Sequence, residues 1–207
     1  FDFKKDYNIP PSHQVLAIKH PSEACRLRWG LIPVWAEDPS IGYKMINARA
    51  ETIDKKPSFK NGFKKRRCLI IASGFYEWKR TEKYKTPYFI YLKNKKPFAF
   101  AGIWESWMSP KEVPVESCCI ITTESNEFLK EIHHRMPVII KPEDIDKWLD
   151  PERKQIKKFL KPYASNEMAA YPVTPYVNKP ANNDHKCIEP LRANKFTTAV
   201  AAGGLSR

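Results

Sequence analysis

The chain has 207 residues, of which 42% are hydrophobic and 13% aromatic, so it is long and apolar enough for one domain with a sizeable core. It has no apolar run near the roughly 18 residues that a membrane-spanning helix needs, and its first residues lack the apolar segment of a secretory signal. We therefore expect a soluble, cytoplasmic protein. Lys and Arg number 36 against 23 Asp and Glu, and the formal net charge of +13 favours a polyanion as partner over a role in solubility alone.

The predicted elements are short, because 18 Pro against seven Gly imply rigid, defined loops. β-Branched and aromatic residues predict four strands, at 68–72, 87–92, 97–104 and 115–123. Helical patterns occur at 125–132, 142–149 and 151–163, the last two with Pro near the start. Strands and helices do not alternate regularly, so we predict an α+β single domain: a curved, mainly antiparallel, barrel-like β-sheet with a few packed helices.

The five cysteines are odd in number and show no CxxC spacing: Cys25, Cys68, Cys118, Cys119 and Cys187. This pattern argues against a disulfide framework and against a zinc ribbon, and it fits a reducing compartment. Cys68, Cys118 and Cys119 lie in apolar strands and are expected in the core. We expect neither a metal nor a cofactor.

Basic residues cluster as KKRR at 64–67, as KNKK at 93–96 and along RKQIKKFLK at 153–161. Six Trp and nine Tyr add surfaces on which bases can stack. Together they favour nucleic acid as the polyanion.

The INARAET stretch places Asn47 and Arg49 two residues apart, so on an extended chain both point to one side while Ala48 and Ala50 point to the other. Asn both donates and accepts hydrogen bonds, and the Arg fork suits phosphate oxygens. The alternative is a turn-forming Asn beside a surface Arg.

The GFYEWKR stretch places Glu77 between Tyr76 and Trp78, after a run that is typical of a buried strand. Aromatic walls desolvate a carboxylate and raise its pKa, which lets a Glu both give and take protons near neutral pH. The alternative is a surface Glu that pairs with Lys79 or Arg80.

Two further stretches combine polar residues with apolar strands. In SCCIITTES, Thr122 and Thr123 are predicted to precede a helix, where they would cap it or help to bind phosphate. In IHHRMPVII, adjacent His133 and His134 would face opposite sides of a strand, which disfavours a shared metal. A titrating His beside Arg135 could act as acid, base or oxyanion donor, or could be structural.

Taken together, these stretches resemble the SOS response-associated peptidase (SRAP) family, whose members crosslink themselves to abasic sites in single-stranded DNA. The matching stretches run in the family's order from residue 7 to about residue 190: YNIPPSHQV, RWGLIPVWAED, NARAET, KPSF, RRCLIIASGFYEWK, PFAFAGIWESW, CCIITTESN, IHHRMPVII and YPVTPYVN. The expected organisation is therefore a SRAP-like domain over residues 1–192, followed by a mobile tail over 193–207.

The resemblance implies catalytic roles for Asn47, Glu77 and His133. It also implies DNA contacts for five residues: Arg49, Arg135, Thr122, Trp35 and Trp78. The implied partner is single-stranded DNA with abasic sites, without a membrane or a metal. The sequence leaves the oligomeric state open, and we expect a monomer.

In the family, the nucleophile is an amino-terminal Cys exposed by removal of the initiator Met. Its amine forms a Schiff base with the sugar aldehyde and its thiol closes a thiazolidine. The printed sequence begins FDFKKDYN where the family has Met-Cys-Gly-Arg and a further segment, so we expect the nucleophile outside the printed residues. No internal Cys can replace it, because the ring needs amine and thiol on one residue.

Two other functions remain open at this point. One is a non-catalytic module that binds single-stranded nucleic acid through charge and aromatics. The other is a peptidase, which the family name suggests. The chain has no GxSxG elbow and only Ser73 as a candidate acyl nucleophile, so self-removal of the initiator Met is the narrower version of that activity.

Overall fold

The computed structural model describes residues 5–20 and 23–191. The strands are β1 (Gln14–His20), β2 (Glu23–Trp29), β3 (Asn47–Arg49), β4 (Arg67–Ala72), β5 (Phe75–Arg80), β6 (Lys85–Leu92), β7 (Phe98–Met108), β8 (Pro114–Glu124), β9 (Arg135–Pro137), β10 (Ile139–Ile140) and β11 (Met168–Pro172). The α-helices are α1 (Pro57–Lys65) and α2 (Ile145–Leu149). Short 3-10 helices occupy Pro39–Lys44, Leu129–Glu131, Pro142–Asp144, Ile156–Phe159, Ser165–Glu167, Pro175–Asn178 and His185–Ile188. The tail predicted over 193–207 lies outside the described residues.

Five strands close into a barrel in the order β7-β4-β1-β2-β8, with β8 returning to pair with β7. The β2–β8 contact is parallel, and the other four contacts are antiparallel. β3 and β9 extend the sheet along β8, while β10 pairs with β7. A separate antiparallel sheet has the order β11-β6-β5. The predicted α+β, barrel-like fold is confirmed. Over the described ranges, no helix is long and apolar enough to cross a bilayer.

Of the barrel strands, β4, β7 and β8 are buried on both faces. One cluster takes residues from all five strands and therefore lies inside the barrel: Val15, Leu27, Ile70, Phe100 and Cys118. On the outer face, Leu69 of β4, Ile103 of β7 and Ile121 of β8 belong to a second cluster. This cluster includes Phe63 of α1 and Trp148 of α2. The structure confirms that Cys68, Cys118 and Cys119 belong to the core.

Only one of the three predicted helices forms as an α-helix. The 142–149 segment contains Pro142–Asp144 and α2. The 151–163 prediction is wrong: Gln155 takes a left-handed φ of 57°, so helical structure starts only after it, as the short 3-10 helix Ile156–Phe159.

The 125–132 prediction is also wrong beyond a single turn. The Asn126 side chain accepts a hydrogen bond from the Leu129 amide at 2.9 Å, as an N-cap residue does, and donates to the Tyr163 carbonyl at 2.7 Å, but only the 3-10 turn Leu129–Glu131 follows. Thr122 and Thr123 lie within β8, which continues to Glu124, and no helix begins at these threonines. The expected phosphate site at a helix N-terminus is therefore absent there.

Helix α1 was not predicted, because PSFKNGFKK contains Gly and Asn in its interior. Pro57 starts the helix, and Phe59 and Phe63, four residues apart, are buried against the barrel. Packing thus overrides a weak local preference for helix.

Half of the KKRR cluster is structural. Arg67 is 2% exposed and donates to the carbonyls of Phe63, Lys64, Trp148 and Asp150. Arg66 pairs with the buried Glu105 at 2.5 Å. Both arginines are engaged within the fold, so the interpretation of this cluster as a nucleic-acid contact is restricted to the exposed Lys64 and Lys65.

Candidate active site

A cleft of about 1350 Å³ lies between the small β5-β6-β11 sheet and the edge of the barrel that carries β3 and β9. Seven of the eight predicted site residues line it: Asn47, Arg49, Glu77, Trp78, Thr122, His133 and Arg135. Trp35 does not. It is 57% exposed and borders a separate, shallow groove with Asp38 and Lys44. The fold therefore brings together stretches that are far apart in the sequence.

Strand β3 supplies one wall of the cleft. Its burial alternates, with Asn47 and Arg49 exposed and Ala48 buried, so the predicted shared polar face is confirmed. Parallel pairing with β8 aligns Arg49 with Thr122. Ala50 extends this pairing through its amide, which donates to the Thr122 carbonyl at 2.9 Å.

Glu77 and His133 face each other across the cleft. Glu77 Oε2 lies 3.8 Å from His133 Nδ1, which is close enough for electrostatic interaction and too far for a hydrogen bond. Burial raises the pKa of Glu77, while His133, the Trp78 amide and Lys85 act in the opposite direction. The predicted direction, a raised pKa, is therefore found for Glu77, with burial in the cleft as its cause. The alternative pairing with Lys79 is not found, since Lys79 lies 3.9 Å from Glu131 instead.

His133 is oriented by the backbone of β9. Its Nδ1 lies 3.2 Å from the Arg135 amide nitrogen and 3.1 Å from the Arg135 carbonyl oxygen. A neutral ring that accepts from the amide carries its proton on Nε2. A protonated ring donates to the carbonyl, so the same backbone residue holds both forms of the imidazole.

The two histidines do not take opposite sides of a strand as predicted. His133 and His134 precede β9, and their ring centroids are 4.5 Å apart. Within the described residues, no group of three or more His, Cys, Asp or Glu side chains is arranged to hold a metal ion.

Arg135 is already held by a carboxylate that sequence reasoning missed. Its two terminal nitrogens donate to Glu51 Oε1 at 2.7 Å and Oε2 at 3.0 Å, and one of them also donates to the Thr122 carbonyl at 2.8 Å. Arg135 lowers the pKa of Glu51 by this hydrogen bonding. In the sequence, polar and small residues alternate from Asn47 through Arg49 to Glu51, and this pattern could have placed Glu51 on the same side as Arg49.

Trp78 is fixed on the rim of the cleft. Its indole nitrogen donates to Asn178 Oδ1 at 2.8 Å, and Lys85 Nζ lies 5.1 Å from the centre of its ring. Ser73, the only candidate acyl nucleophile, is exposed in the β4–β5 turn and lines the same cleft.

The YNIPPSH segment forms a further wall, which the sequence did not predict. The Asn8 side chain donates to the carbonyls of Val177 at 3.1 Å and Asn182 at 3.0 Å. The Tyr76 hydroxyl donates to the Tyr7 carbonyl at 2.7 Å. These contacts tie residues near the start of the chain to β5 and to the segment after β11.

A family model described as SOS response associated peptidase (SRAP) matches residues 1–180. The chain belongs to this family. It is 46% identical over 195 residues to the abasic site processing protein YoqW of Bacillus subtilis, covering 91% of this chain and 87% of that protein.

Two further proteins are similar to this chain over most of its length. The abasic site processing protein HMCES of Gallus gallus is 36% identical over 193 residues, covering 80% of this chain and 56% of that protein. A crystal structure of a protein from Bacteroides thetaiotaomicron superposes with a TM-score of 0.82 at 35% identity, covering 87% of this chain and 82% of that one.

Proposed function

We propose that this protein binds single-stranded DNA and forms a covalent crosslink with an abasic site, through an amino-terminal Cys outside the printed sequence. One observation carries the proposal: a desolvated acid, Glu77, faces His133 in a cleft that also holds Asn47 and Arg49. Family membership and the names of the relatives support the assignment of the substrate.

His133 is assigned to opening the sugar. An abasic deoxyribose is mainly a closed hemiacetal, and its aldehyde appears only when the ring oxygen gains a proton and the anomeric hydroxyl loses one. A protonated His133 supplies the first proton. The Arg135 carbonyl, 3.1 Å from Nδ1, stabilises that charged ring.

Glu77 is assigned to the step that forms the imine. The α-amine adds to the aldehyde carbon, and the carbinolamine oxygen leaves as water after it is protonated. This step needs a group that first takes and then gives a proton, and a carboxyl whose pKa is raised by burial does both.

The thiol of the same Cys then adds to the imine carbon, while its proton passes to the nitrogen, and a five-membered thiazolidine results. Asn47 positions the amine and the sugar oxygen through an amide that donates and accepts. Arg49, exposed on the same face of β3, is assigned to a phosphate. The phosphate role of Arg135 requires sharing its guanidinium with Glu51.

The remaining assignments are indirect. Thr122 helps to hold Arg135 in place, Trp78 stacks on a base at the rim, and Trp35 contacts DNA beyond the cleft. Lyase-like crosslinking is the activity proposed here, and self-removal of the initiator Met is a secondary activity of the same pocket.

The test compares Glu77→Gln with Glu82→Gln, an exposed carboxylate in the same hairpin, both in the protein that carries its native amino terminus. Single-stranded DNA with one abasic site is incubated with each variant and analysed on denaturing gels, with affinity measured separately. We expect Glu77→Gln to slow crosslinking at saturating DNA at least about 100-fold with unchanged affinity, and Glu82→Gln to crosslink at the parent rate at saturating DNA. Equal crosslinking by both variants would remove Glu77 from the chemistry and favour the non-catalytic binding module.

A further inference from the structure

The β5–β6 hairpin continues past Glu77 into solvent and ends in a defined turn. The Thr81 amide donates to the Tyr84 carbonyl at 2.9 Å, and the Tyr84 amide donates to Thr81 Oγ1 at 3.1 Å. The tip is therefore an ordered projection from the strand that carries the proposed acid.

Two cations sit directly opposite each other on this projection. Arg80 pairs with Lys85 across the antiparallel ladder, and both side chains are exposed. Like charges at such a position destabilise a hairpin. In the described part of the chain, neither forms an ion pair with a carboxylate, and Glu82 is the single acid among four cations between residues 79 and 85. An anion bound between the two cations would relieve the repulsion.

The charged pair is continuous with the cleft. Trp78 lies two residues before Arg80, so it shares the face that carries Arg80 and Lys85. Lys85 lies over the Trp78 ring and lines the cleft with it. Beyond the pair, Tyr84 is 73% exposed. The strip thus alternates aromatic rings and cations, which is the pattern of a surface that tracks a single strand.

We propose that this hairpin strip binds the nucleotides that flank the lesion, with phosphates on Arg80 and Lys85 and a base on Tyr84. The inference rests on the proposed function, since the cleft holds the abasic sugar and the strip takes the adjoining strand. Electrostatic complementarity and the continuity with Trp78 identify a single-stranded nucleic acid as the occupant.

The experiment compares the double variant Arg80→Gln/Lys85→Gln with Lys60→Gln/Lys64→Gln, which removes the same charge from the exposed side of α1. Fluorescence anisotropy follows binding to single-stranded DNA that carries a non-reactive tetrahydrofuran abasic analogue, over a series of salt concentrations. Loss of two phosphate contacts lowers the slope of log affinity against log salt by about 1.4. We expect this decrease for the hairpin variant and a smaller change for the α1 variant.

Two further measurements locate the contact. Tyr84→Ala is expected to weaken binding at least about fivefold, and both hairpin effects are expected to disappear with an oligonucleotide truncated next to the analogue on the side that the hairpin contacts. Removal of the like-charge pair is expected to leave the melting temperature unchanged or higher, which shows that the variant is folded. Equal salt slopes for the two double variants would overturn the proposal.

The outcome is separable from that of the proposed function. Glu77→Gln is expected to lose crosslinking and to keep the parent salt slope, while the hairpin variant is expected to lower the salt slope. If the hairpin variant lowers the salt slope but the parent protein never crosslinks, the binding role of the hairpin is retained and the proposed crosslinking is rejected.

Discussion

Arg67→Ala is expected to destabilise the protein severely while leaving its affinity for DNA unchanged. Arg67 donates to two carbonyls at the end of α1, those of Phe63 at 2.9 Å and Lys64 at 2.8 Å, and to the Trp148 carbonyl of α2 at 2.6 Å. These carbonyls belong to the helix ends that have no partner within the helix. The guanidinium therefore caps both helices at once.

The magnitude follows from the burial of these groups. Hydrogen bonds to a charged group contribute about 1.5–3 kcal/mol each, but the cost of burying the guanidinium, which also lowers the pKa of Arg67, offsets much of that sum. Leaving a buried carbonyl without its hydrogen-bond partner typically costs about 1–3 kcal/mol. We expect Arg67→Ala to lower the free energy of unfolding by about 4 kcal/mol, a large share of the roughly 5–15 kcal/mol of a typical domain.

Urea unfolding followed by tryptophan fluorescence measures the change, and Lys64→Ala is the matched control because it removes the same charge from an exposed position on α1. The control is expected to shift the free energy of unfolding by less than about 0.5 kcal/mol. The reasoning is refuted if both variants unfold at the same urea concentration. It is refuted equally if Arg67→Ala weakens DNA binding more than Lys64→Ala at a temperature where both are folded.

Three further variants test other parts of the structure. Because burial raises the pKa of Glu77, the folded protein binds a proton that the unfolded chain has already lost, so its free energy of unfolding falls as pH rises from the ordinary Glu pKa to the raised pKa. Glu77→Gln lacks this titration. Its free energy of unfolding, measured with urea, should therefore rise relative to that of the parent between pH 4 and pH 8. A constant difference across that range would contradict this. Glu51→Gln is expected to cost about 1 kcal/mol at pH 7, since Glu51 is half exposed. That cost should vanish as pH falls through the lowered pKa of Glu51, because Arg135 stabilises only the ionised carboxylate; a cost that persists at low pH would argue for packing instead. Gly74→Ala is expected to cost about 1–3 kcal/mol, because a Cβ there would lie 2.8 Å from the Ile90 carbonyl oxygen. Crosslinking should fall with it as β5 shifts, and a parent-like melting temperature would contradict the contact.

The sequence was most informative where local periodicity decides the outcome. The alternation in INARAET placed Asn47 and Arg49 on one face, because side chains on a strand repeat every two residues. The direction of the pKa shift of Glu77 was also predicted, although its cause is burial in the cleft, because Tyr76 and Trp78 point to the other face of β5. The four predicted strands formed because their β-branched and aromatic residues favour a pleated sheet.

Contacts between residues far apart in the sequence could not be predicted from local patterns. Arg67 is buried by a helix end 81 residues away, and Arg135 is held by a carboxylate 84 residues away. A run of basic residues looks the same in the sequence whether its charges face solvent or cap a helix. Likewise, nothing in the amphipathic 151–163 segment marks Gln155 as left-handed, and this single residue keeps the helix from starting before Ile156.

The most direct test of the proposed function locates the nucleophile. The printed chain, and a form extended with a native amino-terminal segment that begins with Cys, are each incubated with single-stranded DNA bearing one abasic site. Denaturing gels and intact mass spectrometry then detect any adduct. The account predicts an adduct that survives denaturation only with the extended form, at the mass of protein plus DNA minus one water. Binding by both forms without an adduct would contradict the roles of Asn47, Glu77 and His133.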